Sequence, residues 1–244
     1  MSQSALIPIT RQLADDMDAI AWHSPSHVYN PLRYAWPGHR SYLQRYGTAT
    51  GRVLLLGMNP GPWGMAQTGV PFGDVTLVRD WLGIDQPLQP PLPEQHPNYP
   101  LRGMATHRSE GSGSRLWGWA RARFGSPEHF FQRFFIWNYC PLLFLKNNRN
   151  LIPEQLHKDE RQALTAACDQ ALSAALTALA PRALVGIGRY AERRLREIAP
   201  ADTPIHYLLH PSPANPSANR HWGEQADALL APWMDGERPE ATPD

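Results

Sequence analysis

Two polar segments of this chain follow short apolar runs and carry side chains suited to chemistry. Residues 57–62 read Gly-Met-Asn-Pro-Gly-Pro and come directly after the apolar run 53–56. Residues 210–216 read His-Pro-Ser-Pro-Ala-Asn-Pro and follow the mostly apolar run 205–209. Open α/β sheets bind their ligands at the carboxyl ends of the strands. The amide of the first segment and the imidazole of the second are therefore expected to face the same pocket.

Four apolar runs of this kind end in residues that could line such a pocket. Their ends carry Asn59, Asn138, the Gly-Ile-Gly turn at 186–188, and His210. A single polar residue after a strand needs no special explanation, because loops lie at the surface and are polar. Two amides, a flexible turn and an imidazole together, within the motifs that surround them, instead favour a functional site at one edge of the sheet.

The elements that must position these residues predict an α/β fold. Runs 53–56, 134–137, 183–187 and 205–209 are short and mostly apolar, which is typical of parallel strands covered on both faces. Between the second and third runs, apolar residues recur at three- and four-residue steps over 164–179, which predicts a helix. Helical connections imply parallel pairing. We therefore expect a central four-stranded parallel sheet flanked by helices on both faces.

Composition favours one domain that contains an irregular insertion. The chain has 244 residues with 42% hydrophobic content, which is enough for a sizeable core, and no compositional break divides it. We expect residues 1–234 to form a single domain and the polar residues 235–244 to be a disordered tail. Residues 83–114 are rich in proline and end in a Gly/Ser patch, so they are predicted to form a long surface loop, either a plain insertion or a functional one.

Charge and cysteine content exclude several classes of function. The formal net charge is +1, so an overall basic field is no argument for a nucleic-acid partner. Cys140 and Cys168 are too few for a four-thiolate cluster or a Cys-rich zinc site, and we expect neither a metal nor a cofactor. No apolar run approaches the roughly 20 residues of a membrane span, and residues 1–20 lack the apolar core of a signal peptide. A cytoplasmic protein without a membrane partner is expected.

The motifs resemble those of the single-strand-selective monofunctional uracil-DNA glycosylases, which belong to the uracil-DNA glycosylase superfamily. The resemblance covers most of the chain, and the matching segments are residues 57–84, 138–145, 185–192, 209–222, 29–32 and 42–46. It implies a uracil-DNA glycosylase-like fold, with a central parallel sheet between helices and the site at the carboxyl ends of the strands. The fold that the apolar runs predict is the same.

The resemblance also assigns the residues that recognise the base. Uracil presents an N3–H donor beside an O4 acceptor, which one carboxamide can satisfy, and this role falls to Asn138. Phe72 is expected to stack on the flipped base, while Gly61 and Met65 shape the space beside C5 of the pyrimidine. That space is expected to admit 5-hydroxymethyluracil as well as uracil. A glycine that is needed only for the turn would explain Gly61 equally well.

Two motif residues, Asn59 and His210, are the expected catalytic residues for release of the base. Asn59 cannot take a proton, so we expect it to orient a water toward C1′ of the sugar. By resemblance, His210 and the backbone N–H of Met58 stabilise the charge that develops on O2 of the departing uracil. The sequence leaves the protonation state of His210 open.

The segment after His210 is expected to enter the DNA, because its prolines stiffen it and its polar side chains can contact phosphates. Ala214 at its tip stands where the family commonly has a larger basic residue that fills the gap left by the flipped base. Arg189 shares a predicted helix face with other arginines, which is either a solvated face or a track for phosphates. The predicted DNA-binding residues are Ser212, Pro213, Ala214, Asn215, Asn219, Arg220 and Arg189.

The leading hypothesis is a monofunctional DNA glycosylase that hydrolyses the N-glycosidic bond of uracil and 5-hydroxymethyluracil and leaves an abasic site for base excision repair. The expected partner is single- and double-stranded DNA that contains uracil or modified uracil, bound by a monomer in the cytoplasm, on the nucleoid in a bacterium. No lysine suited to a Schiff base lies in these motifs. The alternative is a protein that binds or traps uracil-DNA with little turnover. A nucleotide-binding hydrolase is disfavoured, because no phosphate-binding glycine motif follows the first apolar run.

Overall fold

A four-stranded sheet lies at the centre of the protein in the computed structural model, which describes residues 3–234. The tail predicted for residues 235–244 lies outside this range. The strands are β1 (His27–Tyr29), β2 (Val53–Gly57), β3 (Phe134–Asn138), β4 (Leu143–Lys146), β5 (Arg149–Leu151), β6 (Ala183–Ile187) and β7 (Ile205–Leu208). The helices are α1 (Leu6–Asp18), α2 (Pro31–Tyr34), α3 (Trp36–Tyr46), α4 (Met65–Thr68), α5 (Val75–Asp80), α6 (Gly111–Phe124), α7 (Pro127–Phe131), α8 (Lys158–Leu179), α9 (Arg189–Ile198) and α10 (Pro216–Met234).

The four apolar runs of the sequence form this central sheet. Its strand order is β3-β2-β6-β7, and all neighbouring strands are parallel. Every residue of β2, β3 and β6 is buried, and since successive side chains point to opposite faces, both faces of the sheet are covered. The register pairs Gly57 with Asn138, so β2 and β3 end at the same level. The prediction of a four-stranded parallel sheet within an α/β fold is confirmed.

Helix α8 occupies the connection for which the sequence predicts a helix. Its periodic residues Leu164, Cys168 and Leu172 are buried, and the helix packs against α1. Glu160 in the first turn accepts a hydrogen bond from the backbone N–H of His157 at 3.1 Å, which satisfies one of the free donors at the helix start. The predicted helical connection is confirmed, with a start at Lys158 that precedes the periodic apolar pattern.

A second, antiparallel sheet lies beside the first and was not predicted. β4 pairs with β1 on one side and with β5 on the other. The turn between β4 and β5 uses Asn147 and Asn148 at φ angles of 48° and 61°, a left-handed conformation that asparagine tolerates better than most residues. Asn150 on β5 donates to the backbone carbonyl of Pro60 at 3.3 Å. This small sheet therefore supports the polar segment that follows β2.

Residues 83–114 differ from the predicted surface loop in two respects. Residues 111–114 form the first turn of α6, because the Glu110 side chain caps the helix and satisfies two of its free N–H groups. Gln67 of α4 holds the backbone of residues 100–103 through three hydrogen bonds of 2.8 to 3.1 Å. The irregular part of the insertion is therefore tied to the element that follows the first polar segment.

Candidate active site

A cavity of about 430 Å³ lies at the carboxyl ends of β2 and β3, where the two polar segments meet. The predicted residues that line it are Met58, Asn59, Gly61, Met65, Phe72, Asn138, His210 and Ser212. A larger cavity of about 650 Å³ lies between α1 and residues 89–93, but none of the predicted site residues lines it. The chemistry is therefore assigned to the smaller cavity, which brings both predicted catalytic residues and all five predicted base-binding residues together.

Asn138 ends β3, and its carboxamide lies at the cavity with little of its hydrogen-bonding capacity used by the protein. It is 7% exposed, and its Nδ2 donates to the thioether of Met65 at 3.4 Å, although thioether sulfur is a weak acceptor. Its Oδ1 is buried without a hydrogen-bond partner among the described residues. Since buried amide oxygens are normally hydrogen bonded, this orphan acceptor indicates a ligand that brings a donor. Met65 also orients the amide, because its sulfur favours the nitrogen over the oxygen.

Phe72 is held beside this amide in a strained backbone conformation. Its φ of 54° lies in the left-handed region, which costs about 1–2 kcal/mol for a residue with a Cβ. The indole of Trp117 donates to the carbonyl of the preceding residue at 3.1 Å, and Gly113 of α6 lies so close to the Phe72 carbonyl that a Cβ would collide with it. A Cβ at Gly57 would likewise collide with the Phe72 ring. Close packing on both sides therefore fixes the position of the ring.

His210 follows β7 and faces Phe72, with 6.0 Å between the ring centroids. Burial lowers the pKa of His210 to about 4, so the imidazole is neutral at neutral pH. Its Nδ1 accepts the backbone N–H of Ser212 at 3.2 Å, which places the one remaining ring proton on Nε2. The protonation state of His210, which the sequence left open, is therefore a neutral imidazole with an Nε2–H donor.

Because the His210 imidazole is neutral, we expect the rate of the bond-breaking step to depend little on pH near neutrality. Across the range from about pH 8 to about pH 5, the single-turnover rate should show no step near the ordinary histidine pKa of about 6.5. The rate should fall only as the pH approaches the lowered pKa of about 4, because protonation of Nδ1 breaks its hydrogen bond with Ser212. Single-turnover rates at each pH, together with an NMR titration of the His210 ring, measure this. A rate step near pH 6.5 that follows the His210 titration would contradict it.

Asn59 is anchored by its amide nitrogen. Nδ2 donates to the backbone carbonyl of Leu142 at 3.3 Å, and the residue is partly exposed at the cavity wall. The anchored nitrogen leaves Oδ1 as the acceptor available to a water molecule. This arrangement fits the predicted role of Asn59 in orienting water, since an amide oxygen accepts a hydrogen bond but takes no proton.

Gly61 supplies space rather than backbone freedom. Its φ lies outside the left-handed region, so any L-residue could adopt its conformation. A Cβ built on Gly61 would have Oε1 of Glu110 as its neighbour at 3.7 Å, which is an ordinary contact distance. The turn alone therefore does not require glycine, and of the two explanations that the sequence allows, open space beside the cavity is the better one.

The segment between β7 and α10 is held to the first turn of α10, and to itself, by polar side chains. The internal hydrogen bonds run from Ala214 N to Ser212 Oγ at 3.2 Å, from Ser217 N to Asn215 Oδ1 at 3.0 Å, and from Asn219 Nδ2 to Pro213 O at 2.8 Å. Arg115 of α6 donates to the carbonyl of Pro211 at 2.7 Å and also to Asn219. Of the predicted DNA-binding residues, Pro213, Ala214, Asn219, Arg220 and Arg189 are exposed. The side chains of Pro213, Ala214 and Arg220 take no part in the hydrogen bonds above.

Arg189 lies on an arginine-rich face of α9 whose charges are largely paired. Arg189 and Arg196 both contact the carboxylate of Glu192, at 2.8 and 3.0 Å, and Arg193 pairs with Glu154. The Arg189 guanidinium also lies 3.7 Å above the Tyr207 ring. Of the two interpretations of this face, the ion pairs favour a solvated helix surface, and a DNA contact by Arg189 stays a prediction.

Several residues of the cavity were missed by sequence reasoning. They are Pro60, Pro62, Gly64, Glu110, Ser112, Asn150 and Ile152. Glu110 carried no helix-start signal, because the residues preferred directly before a helix are Ser, Thr, Asp and Asn rather than Glu. Its approach to Gly61 comes from the tertiary fold and has no local signal.

Two further observations concern the part of the chain that the structure describes. In residues 3–234, no three His, Cys, Asp or Glu side chains are grouped so that they could hold a metal ion. Within the same range, every helix is too short or too polar to cross a bilayer.

Comparisons with known proteins identify a family and several relatives of this chain. The family described as the uracil DNA glycosylase superfamily matches residues 44–235. The single-strand selective monofunctional uracil DNA glycosylase of Bos taurus is 49% identical over 207 residues, which cover 83% of this chain and 76% of that protein. The protein of the same name from Mus musculus is 44% identical over 240 residues, covering 92% and 86%. The crystal structure of wild-type SMUG2 from Pedobacter heparinus shares the fold, with a TM-score of 0.61 and 18% identity over 91% of this chain and 97% of that chain.

Proposed function

The chain belongs to the uracil DNA glycosylase superfamily, and we propose that it is a monofunctional DNA glycosylase. It flips uracil out of DNA, because the target atoms cannot be reached inside a duplex, and then hydrolyses the N-glycosidic bond. The product is an abasic site, on which base excision repair continues. The observation that carries the proposal is the cavity that joins the Asn138 amide, the Phe72 ring and the His210 imidazole.

Recognition of uracil rests on Asn138 and Phe72. Oδ1 of Asn138, which has no protein partner in the described chain, accepts from N3–H of uracil, and Nδ2 donates to O4. The Phe72 ring stacks on the base, which adds about 1–3 kcal/mol without regard to base identity. Cytosine presents the opposite pattern of donor and acceptor at these positions. The thioether of Met65 favours the amide orientation that accepts uracil.

Release of the base does not use the paired carboxylates of ordinary glycoside hydrolysis. Among the described residues that line the cavity, Glu110 is the one carboxylate. Departure of uracil as an anion therefore dominates the barrier, and Nε2–H of His210 and the backbone N–H of Met58 stabilise the charge on O2. Asn59, held by Leu142, orients the water that then reacts at C1′ of the sugar.

The DNA partner is single- or double-stranded and contains uracil or 5-hydroxymethyluracil. The exposed tip formed by Pro213 and Ala214, together with Arg220, enters or contacts the strand, while Ser212, Asn215 and Asn219 keep the segment rigid. We place the activity in one domain of residues 1–234, acting as a monomer in the cytoplasm, on the nucleoid if the source is bacterial.

Release of free base in repeated turnovers tests this function. Matched single- and double-stranded oligonucleotides that carry uracil, 5-hydroxymethyluracil or thymine are incubated with a small amount of protein, and the released bases are quantified. More than one uracil released per protein molecule is expected. Tight binding with at most one release per molecule would instead support a protein that traps uracil-DNA.

Replacement of Gly61 with tyrosine is expected to separate the two substrates. The structure has room for a Cβ at Gly61, 3.7 Å from Oε1 of Glu110, and the new ring would occupy this space and compete there with a C5 substituent. Excision of 5-hydroxymethyluracil should fall by on the order of tenfold or more relative to excision of uracil. Single-turnover rates on both oligonucleotides measure the ratio. Equal losses on the two bases would indicate a disrupted turn.

A further inference from the structure

Glu110 places a carboxylate at the wall of the cavity, opposite Gly61. The side chain is partly buried, its Oε1 lies 3.7 Å from the Cβ position of Gly61, and its Cγ lies 2.8 Å from that of Gly64. Burial raises the pKa of Glu110, while hydrogen bonds from backbone N–H groups oppose this rise. A carboxylate in this position is not needed for the recognition and release steps described above.

The carboxylate has acceptor capacity that the protein does not use. Oε1 accepts the backbone N–H of Ser112 at 3.2 Å, and Oε2 accepts that of Gly113. The Ser112 side chain provides a third hydrogen bond, and since a carboxylate offers about four lone-pair sites, a position remains for a further donor. Its location is also fixed, because Asp74 accepts the Glu110 backbone N–H at 3.1 Å and caps α5 with the same carboxyl group.

We propose that Glu110 is a specificity-determining residue that accepts a hydrogen bond from a hydroxyl group on the C5 substituent of the flipped pyrimidine. The inference rests on the proposed function, because it requires a uracil ring stacked on Phe72 with C5 directed toward Gly61. A fixed hydrogen-bond acceptor distinguishes C5 substituents that carry a donor from those that do not. A pocket that selects by size alone cannot distinguish substituents of similar size.

Three substituents of similar reach distinguish this from a purely steric subsite. A hydroxymethyl group donates to the carboxylate. A methyl group leaves a partly desolvated carboxylate without a new partner, which is unfavourable. A formyl group has nearly the size of hydroxymethyl but offers only an acceptor, so its oxygen faces another acceptor. Glu110 therefore favours 5-hydroxymethyluracil over 5-formyluracil and thymine.

The test compares single-turnover excision of 5-hydroxymethyluracil and 5-formyluracil by the unaltered protein and by the variants Glu110→Gln and Glu110→Asp. Glutamine keeps the length but replaces one acceptor by a donor that suits the formyl oxygen. Aspartate keeps the charge and remains a good helix cap, but it withdraws the carboxylate from the cavity. In both variants the ratio of the two rates should fall by on the order of tenfold, the effect of one hydrogen bond to a charged group. Dividing by the ratio of the unaltered protein cancels the different leaving ability of the two bases.

Uracil excision in the same series separates the possible outcomes. A protein that releases none of the bases contradicts the proposed function itself. Uracil release with an unchanged ratio in both variants overturns the role of Glu110 alone, and so does a parallel loss on all three bases, which would make Glu110 only a helix cap. Glu128→Gln is the matched control, because this exposed carboxylate lies in the first turn of α7 and does not line the cavity.

Discussion

Replacement of His210 with alanine is expected to lower the single-turnover rate of uracil release by on the order of 10²–10³, the usual effect of removing one donor from a developing anion. The geometry supports this magnitude. Ser212 holds Nδ1 at 3.2 Å, so the Nε2–H donor is oriented before the base arrives. Burial keeps the imidazole neutral, with a pKa of about 4. The interaction strengthens as charge builds on O2, so it acts on the rate more than on binding.

Two measurements separate this role from a structural one. Affinity for an uncleavable uracil oligonucleotide should change much less than the rate, and thermal unfolding should show a folded protein. His129→Ala provides a matched control, since this exposed imidazole on α7 lies outside the cavity. A folded His210→Ala protein with unaltered single-turnover chemistry would refute stabilisation of the leaving group by His210.

The central sheet was predictable because its signal is local. Each buried strand appears as a short apolar run, and a helical pattern between runs implies parallel pairing. The antiparallel sheet carries no comparable signal. β1 and β5 have three residues each, and β5 reads Arg-Asn-Leu, so their strand conformation depends on pairing with β4. Tertiary context decides the structure of such short segments more than their own residues do.

The same distinction applies to the site. Asn59, Asn138 and His210 were predictable because each lies at or just after the end of a strand, and parallel strands bring their ends to one edge. Glu110 reaches the cavity through the packing of α6 against the Phe72 segment, a contact between parts of the chain that no local pattern connects. The spacing of Arg189 and Glu192, one helical turn apart, can be seen in the sequence. Whether Arg189 pairs with that carboxylate or contacts DNA depends on geometry that the sequence does not show.

Replacement of Asn138 with aspartate is expected to lower uracil excision at neutral pH by on the order of 10- to 100-fold, because a carboxylate cannot donate to O4 and leaves it facing another acceptor. The site around Asn138 offers little compensation. It is 7% exposed, and its described protein partner is the thioether of Met65 at 3.4 Å. Burial should raise the pKa of the new carboxyl group, so the uracil rate should recover partly as the pH falls and the acid regains a donor.

Cytosine provides the decisive readout for this variant. Once protonated, the aspartate introduced by Asn138→Asp can donate to N3 of cytosine and accept from its amino group, a pattern that the native amide presents in reverse to suit uracil. Slow release of cytosine that grows at lower pH is therefore expected from the Asn138→Asp protein and not from the native one. A purely structural role for Asn138 predicts a lower melting temperature and a loss on uracil with no gain on cytosine. Unchanged uracil kinetics in a folded variant would remove Asn138 from base recognition, because the two side chains have nearly the same shape and differ in the one donor that the proposal requires.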